Sequence, residues 1–464
     1  MKQIDFGSGS IAKNILKTAL PMLVAQVLSL LYSIVDRIYI GRIPQTGTIA
    51  LGAVGLCFPV IIIIAGFTNM FGLGGSPLFS MERGRSNHEK AGQIINTSFR
   101  LLILTAVIIT IAGEALAPLL LRLFGATETE MAFSLPYIRI YLVGTLFIMV
   151  STGMNPFINA QGYPVLGMVT VAIGAVANLI LDPLFIFTMG LGVSGAAIAT
   201  VISQGLSAVY VMRVLHGKRN KYPVRFMDGG RITLPHAGEI VGLGMAPFIM
   251  QCTNSLVQIA CNSVLMHFGG GIYVSVMTIV SSVRQILDTP VMAVTEGASP
   301  LISFNYGAKI PGNVRKAILI MTSIAVSYTL VIWILIEMVP EFFISIFTSD
   351  GAILADAVPA LHIYFFAFIF QSFQYSGQTV FKALGKRKQT IFFSLFRKVV
   401  MVVPLTYIFP YLFHMGTSGV FLAEPVSNFI GGSACFITML LTIMPELKKM
   451  EKGSVKKAQK GSAF

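Results

Sequence analysis

The chain has 464 residues, 55% hydrophobic and 11% charged, with a net charge of +14 and a mean hydropathy of +0.79. A soluble domain carries roughly 25% charged residues, so a soluble enzyme, a disordered protein and a secreted module are excluded and the apolar excess must face lipid. The basic residues sit in short segments between apolar runs, the pattern of membrane topology rather than of a nucleic-acid partner.

Twelve apolar runs follow one another, at 15–40, 51–78, 97–121, 133–157, 165–188, 194–215, 243–266, 273–300, 314–338, 357–380, 390–412 and 418–443. Each is long enough to cross a bilayer as a helix. Segments such as Leu101–Ile111 are apolar on every face, which excludes the alternating strands of a membrane barrel. The first run is too long for a signal peptide and lacks a small-residue cleavage site. The fold class is therefore all-α integral membrane, with twelve transmembrane helices. The longest polar connector runs from His216 to His236, leaving no room for a soluble domain. Cys57, Cys252, Cys261 and Cys435 all lie in apolar runs, as small hydrophobic filler rather than a disulfide framework.

Orientation follows from Lys and Arg. With the N-terminus inside, the inner segments hold twenty-four of them and the outer segments only Arg42 and Arg122. The inner set includes Lys2, Lys218, Arg219, Arg225, Arg231 and six lysines from Lys448 to Lys460. Both termini are then cytoplasmic and the span count is even.

The chain repeats itself. Gly74-Gly-Ser-Pro-Leu-Phe-Ser-Met-Glu-Arg-Gly84 and Gly297-Ala-Ser-Pro-Leu-Ile-Ser-Phe-Asn-Tyr-Gly307 share six of eleven residues at an offset of 223. Gly192-Val-Ser-Gly195 matches Gly416-Thr-Ser-Gly419, Pro21 matches Pro247, and Ala160-Gln-Gly162 matches Ala383-Leu-Gly385. Spans 1–6 and 7–12 are thus two copies. Six is even, so the copies run parallel, as two six-helix lobes around a central cleft, a transporter architecture. The expected division is residues 1–215 as N-lobe, 216–236 as cytoplasmic linker, 237–445 as C-lobe and 446–464 as basic cytoplasmic tail. Prolines such as Pro21, Pro183, Pro247 and Pro404 fall inside spans, where each frees a carbonyl and permits a bend.

Carboxylates inside spans cost roughly 2.5–3.5 kcal/mol each and need a partner or a purpose. The deep ones are Asp36, Asp182, Asp288, Glu296 and Glu424, while Glu114 and Glu337 sit near outer ends. At 1.5 Å per residue, Asp36 lies about 28 Å and Asp182 about 27 Å along their spans, with Thr200 about 9 Å below the outer face. Asn178 precedes Asp182 by one turn on the same helix face. Asp36, Asn178, Asp182 and Thr200 therefore converge at one depth in the N-lobe. Their hard oxygen donors suit Na⁺ or a shared proton. The alternative is that Asp36 pairs with Arg37 and Asp182 caps a helix break at Pro183. In the second copy Asn262 stands opposite Asp36 and Glu424 opposite Thr200, so the acid pair has no counterpart and the cation site is expected only in the N-lobe. Arg284 and Asp288 have ion-pair spacing, and Arg397 and Lys398 are expected to neutralise Glu424 or Glu296.

These residues carry a resemblance to the multidrug and toxic compound extrusion (MATE) family over almost the whole chain. The matching features are Pro21…Asp36-Arg37-Ile-Tyr-Ile-Gly41, the two Ser-Pro-Leu segments, Asn178-x-x-x-Asp182-Pro183 and the six-plus-six repeat. Asp36, Asn178, Asp182 and Thr200 each look like the N-lobe cation site of one prokaryotic branch. The chain departs from the other bacterial branch, which uses acids in spans 7 and 10, where this sequence has Gln251, Gln258, Gln371 and Gln374. The resemblance implies a single-chain prokaryotic antiporter of the cytoplasmic membrane that is not an enzyme. It would exchange cationic, amphipathic drugs for external H⁺ or Na⁺ by alternating access, with no cofactor and no metal beyond Na⁺. Gln26, Tyr32, Met154, Gln161 and Met292 are candidate substrate contacts, and a monomer is expected.

Two rival classes remain. A flippase for a lipid-linked precursor would use cations such as Arg37, Arg139, Arg284 and Arg397 against pyrophosphate, which Asp36 and Asp182 would oppose. An intramembrane enzyme finds no support in His-Glu-x-x-His, Gly-x-Ser-x-Gly or Walker A patterns. Gly190-Leu-Gly-Val-Ser-Gly195 fits a nucleotide fingerprint but lies between apolar helices with no preceding strand.

Overall fold

The computed structural model describes residues 3–217, 221–224, 234–348 and 350–461. Lys2, the linker cations Lys218, Arg219, Arg225 and Arg231, and the tail side chains beyond Lys452 lie outside the described residues. Within those limits every regular element is helical, as hydrocarbon requires of a chain whose backbone must satisfy its own hydrogen bonds.

The first half contains α1 (Ile11–Gly41), α2 (Gly47–Gly84), α3 (His88–Leu123), α4 (Glu128–Val143), α5 (Thr145–Ala160), α6 (Pro164–Pro183) and α7 (Gly192–His216). A wide π turn, Leu184–Thr188, extends α6. Local chemistry sets these boundaries. Asn87 caps α3 by accepting from the Lys90 amide at 3.1 Å. Thr127 and Glu130 form a reciprocal capping box at α4. Pro164 opens α6, where no amide is needed.

The second half contains α8 (Leu234–Gly307), α9 (Pro311–Met338), the short α10 (Pro340–Ser345), α11 (Gly351–Phe365), α12 (Phe368–Ala383), α13 (Arg387–Leu395), α14 (Val403–Tyr411), α15 (Gly416–Ser427) and α16 (Ser433–Gly461). Wide turns Phe396–Val402 and Asn428–Gly432 join α13 to α14 and α15 to α16.

Nine helices of the described residues are long and apolar enough to cross a membrane, and the bent pairs α4–α5 and α11–α12 make two more spans. The 74-residue α8 is two spans, because Gly270 breaks it with φ 70° and ψ −167°. Counted so, twelve crossing segments result. The apolar runs at 133–157 and 357–380 read as straight spans in the sequence. Both are broken instead, by 55° around Gly144 and by 46° between Phe365 and Phe368. Ile111, Val209, Leu319 and Leu441 leave 66–71% of their surface uncovered, as lipid-facing side chains do.

The repeat is visible in the backbone. Gly162 and Gly385 have φ of 89° and 71°, and Gly192 and Gly416 have 54° and 55°. Even the non-glycine exceptions recur: Ser86 at 58° answers Lys309 at 59°, and Gln45 at 63° stands where the second copy has Gly270. The loop between α1 and α2 and the break inside α8 are therefore the same turn.

By packing, the chain forms two compact units. Unit one is Pro21–Gln251 with Met1–Ile4, and unit two is Cys252–Phe464 with Asp5–Leu20. The boundary thus lies elsewhere than the polar linker at 216–236, and close packing explains why. Within unit one, a Cβ on Gly244 would collide with the carbonyl oxygen of Met70, and a Cβ on Gly74 with that of Ile240. Within unit two, a Cβ on Gly297 would lie 2.9 Å from Ala19 Cα. The Thr18 hydroxyl donates to the Gly297 carbonyl at 2.8 Å, and Asn305 Nδ2 donates to the Phe6 carbonyl at 2.8 Å. The start of α8 is therefore built into the first unit, and the start of α1 into the second. Small residues allow such approach where no hydrophobic force pulls helices together.

Gly244→Val is expected to destabilise the protein by about 3 kcal/mol by overpacking this contact. A lowered melting temperature of the purified protein in detergent checks it, with Gly92→Ala unchanged because a Cβ there meets open space.

Candidate cation site

Four helices of unit one contribute polar groups to one buried cluster. α1 brings Tyr32 and Asp36, α4 brings Tyr137 and Tyr141, α6 brings Asn178 and Asp182, and α7 brings Thr200, with buried Ser203 on the same helix. Asp182 closes the regular part of α6. Pro183 follows, supplies no amide to the Leu179 carbonyl, and opens the Leu184–Thr188 turn. Wide turns of this kind cluster at functional sites.

Asn178 Nδ2 donates to Asp182 Oδ1 at 3.1 Å and to Thr200 Oγ1 at 3.4 Å. The carboxyls of Asp36 and Asp182 are within hydrogen-bonding reach of each other. Asp182 is fully buried and Asn178 is 3% exposed. Asp36 Oδ1, Asp182 Oδ2, Asn178 Oδ1 and Ser203 Oγ have no hydrogen-bond partner among the described residues. Buried oxygens left unpaired carry the full desolvation cost. Hard oxygen donors with spare lone pairs fit a proton shared between two carboxyls, or Na⁺. Arg37, the neighbour that could pair with Asp36, lays its guanidinium over the Phe58 ring, 4.9 Å from the centroid.

Tyr137 and Tyr141 were not anticipated. Tyr137 is 4% exposed and lies within electrostatic range of Asp36 and Asp182, and Tyr141 within range of Asp36. Their rings stack at 6.2 Å. The available signal was the Tyr-x-x-x-Tyr spacing, which puts two hydroxyls on one face of an otherwise apolar span.

The remaining candidates are scattered. Tyr32 sits one turn before Asp36, with Ser29 and Ser33 beside it. Gln26 is half-buried on the same helix. Met154 has no exposed surface and belongs to the core of unit one. Gln161 caps the end of α5, its carbonyl accepting from Gln3 Nε2 at 2.7 Å. As they stand, neither Met154 nor Gln161 presents a surface to a ligand, because each is taken up by packing. Met292, 40% exposed, lies in unit two.

Unit two differs at the matching positions. Asn262, opposite Asp36, accepts from Gln258 Nε2 at 2.9 Å. Glu424, opposite Thr200, takes Arg397 at 2.9 Å and Lys398 at 3.1 Å. It also takes Arg284 at 2.5 Å, a partner that the i,i+4 spacing of Arg284 and Asp288 does not reveal. Arg284 reaches Asp288 as well, at 3.3 Å. Glu296 pairs with Lys382 at 2.5 Å rather than with Arg397 or Lys398. Gln371 Nε2 donates to both oxygens of Asp288, at 2.8 and 2.7 Å.

Glu424→Gln leaves three buried cations facing one carboxylate, so it is expected to cost on the order of 3–5 kcal/mol. The half-exposed Glu337, paired with His362 at 2.8 Å, is a contrast. Glu337→Gln is expected to cost under about 1 kcal/mol, and melting temperatures of the two variants give the comparison.

The MatE family model matches residues 21–184 and 247–408, once per repeat. Multidrug export protein MepA of Staphylococcus aureus (strain MRSA252) is 24% identical over 442 residues, covering 94% of each chain. MepA of Staphylococcus haemolyticus (strain JCSC1435) is 22% identical over 429 residues, covering 92% of this chain and 93% of the other. A structure described as the outward-facing conformation of a multidrug resistance MATE family transporter superimposes with a TM-score of 0.89 at 24% identity, covering 97% of this chain and 99% of that one. A MATE structure in the bent conformation gives 0.88 at 24% identity, over 96% and 98%. With one family model spanning both repeats and the all-helical fold shared, the chain belongs to the MatE family.

Proposed function

We propose that this protein exports chemically diverse, cationic drugs through the cytoplasmic membrane of a prokaryote in exchange for external H⁺ or Na⁺. Its relatives of the same length are named multidrug export proteins. The observation that carries the coupling is the set of unpaired oxygens on Asp36, Asn178 and Asp182 in the interior of unit one. The excess of Lys and Arg on alternate connectors supports cytoplasmic termini. The repeat already supplies both halves of a transporter in one chain, so it acts as a monomer.

Asp36 and Asp182 hold the coupling charge, while Asn178 orients Asp182 and ties it to Thr200. A carboxyl pair that has discharged its ion attracts a cationic drug strongly in a low-dielectric interior. Drug and ion therefore weaken each other's binding, and the weakening is reciprocal. α1 transmits the change. Pro21, where the helix passes from unit two to unit one, gives it a place to bend. Alternate exposure of the bound species to the two faces of the membrane completes the exchange.

The test uses proteoliposomes carrying the purified chain and a fluorescent cationic dye, with an imposed ΔpH or Na⁺ gradient. Asp36→Asn and Asp182→Asn are each expected to lower gradient-driven dye movement at least about 10-fold, while Glu337→Gln retains it. The gradient that works names the ion. Transport unaffected by both substitutions sinks the site, and no dye movement under either gradient favours a lipid-precursor flippase.

A further inference from the structure

Unit two buries five ionisable side chains in one network, and their charges do not balance. Arg284, Arg397 and Lys398 all reach Glu424 Oε1, at 2.5, 2.9 and 3.1 Å. Asp288 is the second carboxylate, 3.3 Å from Arg284. Asp288, Arg397, Lys398 and Glu424 are each 3–8% exposed. Three cations thus face two acids.

The other groups facing the network are neutral. Tyr364 accepts from Arg284 Nη1 at 2.7 Å, and Tyr375 donates to Asp288 at 3.4 Å. Gln371 donates to Asp288, Asn428 accepts from Arg397 at 2.6 Å, and Cys261 bonds Thr406 at 3.9 Å. Among the described residues no third carboxylate joins. Glu296 is occupied by Lys382, and Asp356 accepts from Tyr273.

Chemistry decides which member adjusts. A net charge is costly to bury, and the cost falls when the group gives up its proton. A guanidinium keeps its proton at every working pH, so Arg284 and Arg397 are fixed. An ammonium exchanges its proton, so Lys398 is the one cation able to discharge the surplus. Without that proton the network holds two cations and two carboxylates, and Nζ can still donate to Glu424. The backbone is arranged for this contact. Neighbours on an ordinary helix point about 100° apart, yet Arg397 and Lys398 both reach one Glu424 oxygen from the wide turn Phe396–Val402.

We propose that Lys398, held by Glu424, is a proton-binding site of unit two that loads and unloads during the transport cycle, in addition to the carboxyl pair of unit one. The link to the cycle rests on the cation-coupled reading above. The experiment measures protons released when the cationic dye binds the purified protein in weakly buffered detergent, with a pH indicator and with dye occupancy read by fluorescence. Lys398→Arg, which carries a permanent charge, and Lys398→Met, which carries none, are each expected to release about one proton fewer per dye bound than wild type. With dye raised until occupancy equals that of wild type, the Asp36→Asn/Asp182→Asn protein is expected to lose only the share of the release due to unit one, and added Lys398→Arg to remove the rest. Should Lys398→Met not fold, the charge-conserving Lys398→Arg carries the test. Release abolished by the double aspartate change and untouched by Lys398→Arg overturns this proposal alone. Release lowered by Lys398→Arg and untouched by the aspartate changes supports the proposal and means that the unit-one pair exchanges no proton with the dye, as Na⁺ coupling requires. Dye binding that needs chloride in wild type and not in Lys398→Met shows an anion balancing the surplus, and also overturns the proposal.

Discussion

Hydrocarbon offers neither hydrogen bonds nor counter-charges, and this shortage governs every polar group in the chain. Backbone groups are satisfied inside helices. Hydroxyls within spans turn back onto carbonyls, as Ser207 does to Thr170 at 2.8 Å, Ser303 to Ala383 at 2.8 Å and Ser427 to Arg397 at 3.0 Å. Most buried acids find a cation on another helix: Lys382 for Glu296, and three partners for Glu424. Asp36 and Asp182 have each other instead, with oxygens to spare. Other buried polar atoms also lack partners among the described residues, Ser134 Oγ and Gln374 Oε1 included, but these two neighbouring acids bring unpaired carboxylate oxygens to one place.

The two repeats show how little must change to invert a site. Their turns share positive φ values residue for residue, down to Ser86 and Lys309. On this common scaffold one copy has an acid where the other has Asn262, and a hydroxyl where the other has Glu424. The first cluster is dominated by carboxyls, with Arg37 beside Asp36 as a neighbouring cation. The second gathers cations around an acid and closes on itself. Duplication supplies the frame, and a few side chains set opposite polarities within it.

Much of this was legible in the sequence because it depends on quantities that composition carries. Span number follows from apolar run length, and the repeat from matched Gly, Pro and Ser at nearly constant offset. Asp36, Asn178, Asp182 and Thr200 could be brought together by depth and helix face alone. Other features depend on partners that a single sequence does not name. The break around Gly144 lies in an apolar run like any other. Lys382 and Glu296 are 86 residues apart, so pairing had to be guessed between cations of equal claim. Tyr137 and Tyr141 look like ordinary aromatic filler until Asp36 is placed beside them. The packing boundary differs from the polar linker because polar linkers mark where a chain leaves the membrane, whereas packing marks where it changes neighbours, here at Leu20–Pro21 and Gln251–Cys252.

That exchange of helix ends makes the two halves reciprocally incomplete. A fragment ending at residue 217 would carry an opening helix whose Thr18 and Ala19 have lost the Gly297 surface they fit. It would also lack the Ile240–Gly244 segment that fills the groove along Gly74 and Met70. The complementary fragment would carry that segment and miss the other. The arrangement is domain swapping made permanent within one polypeptide. Two separately translated halves would be bound together by each completing the other's core, a mutual dependence that gives a duplicated gene a physical reason to stay fused.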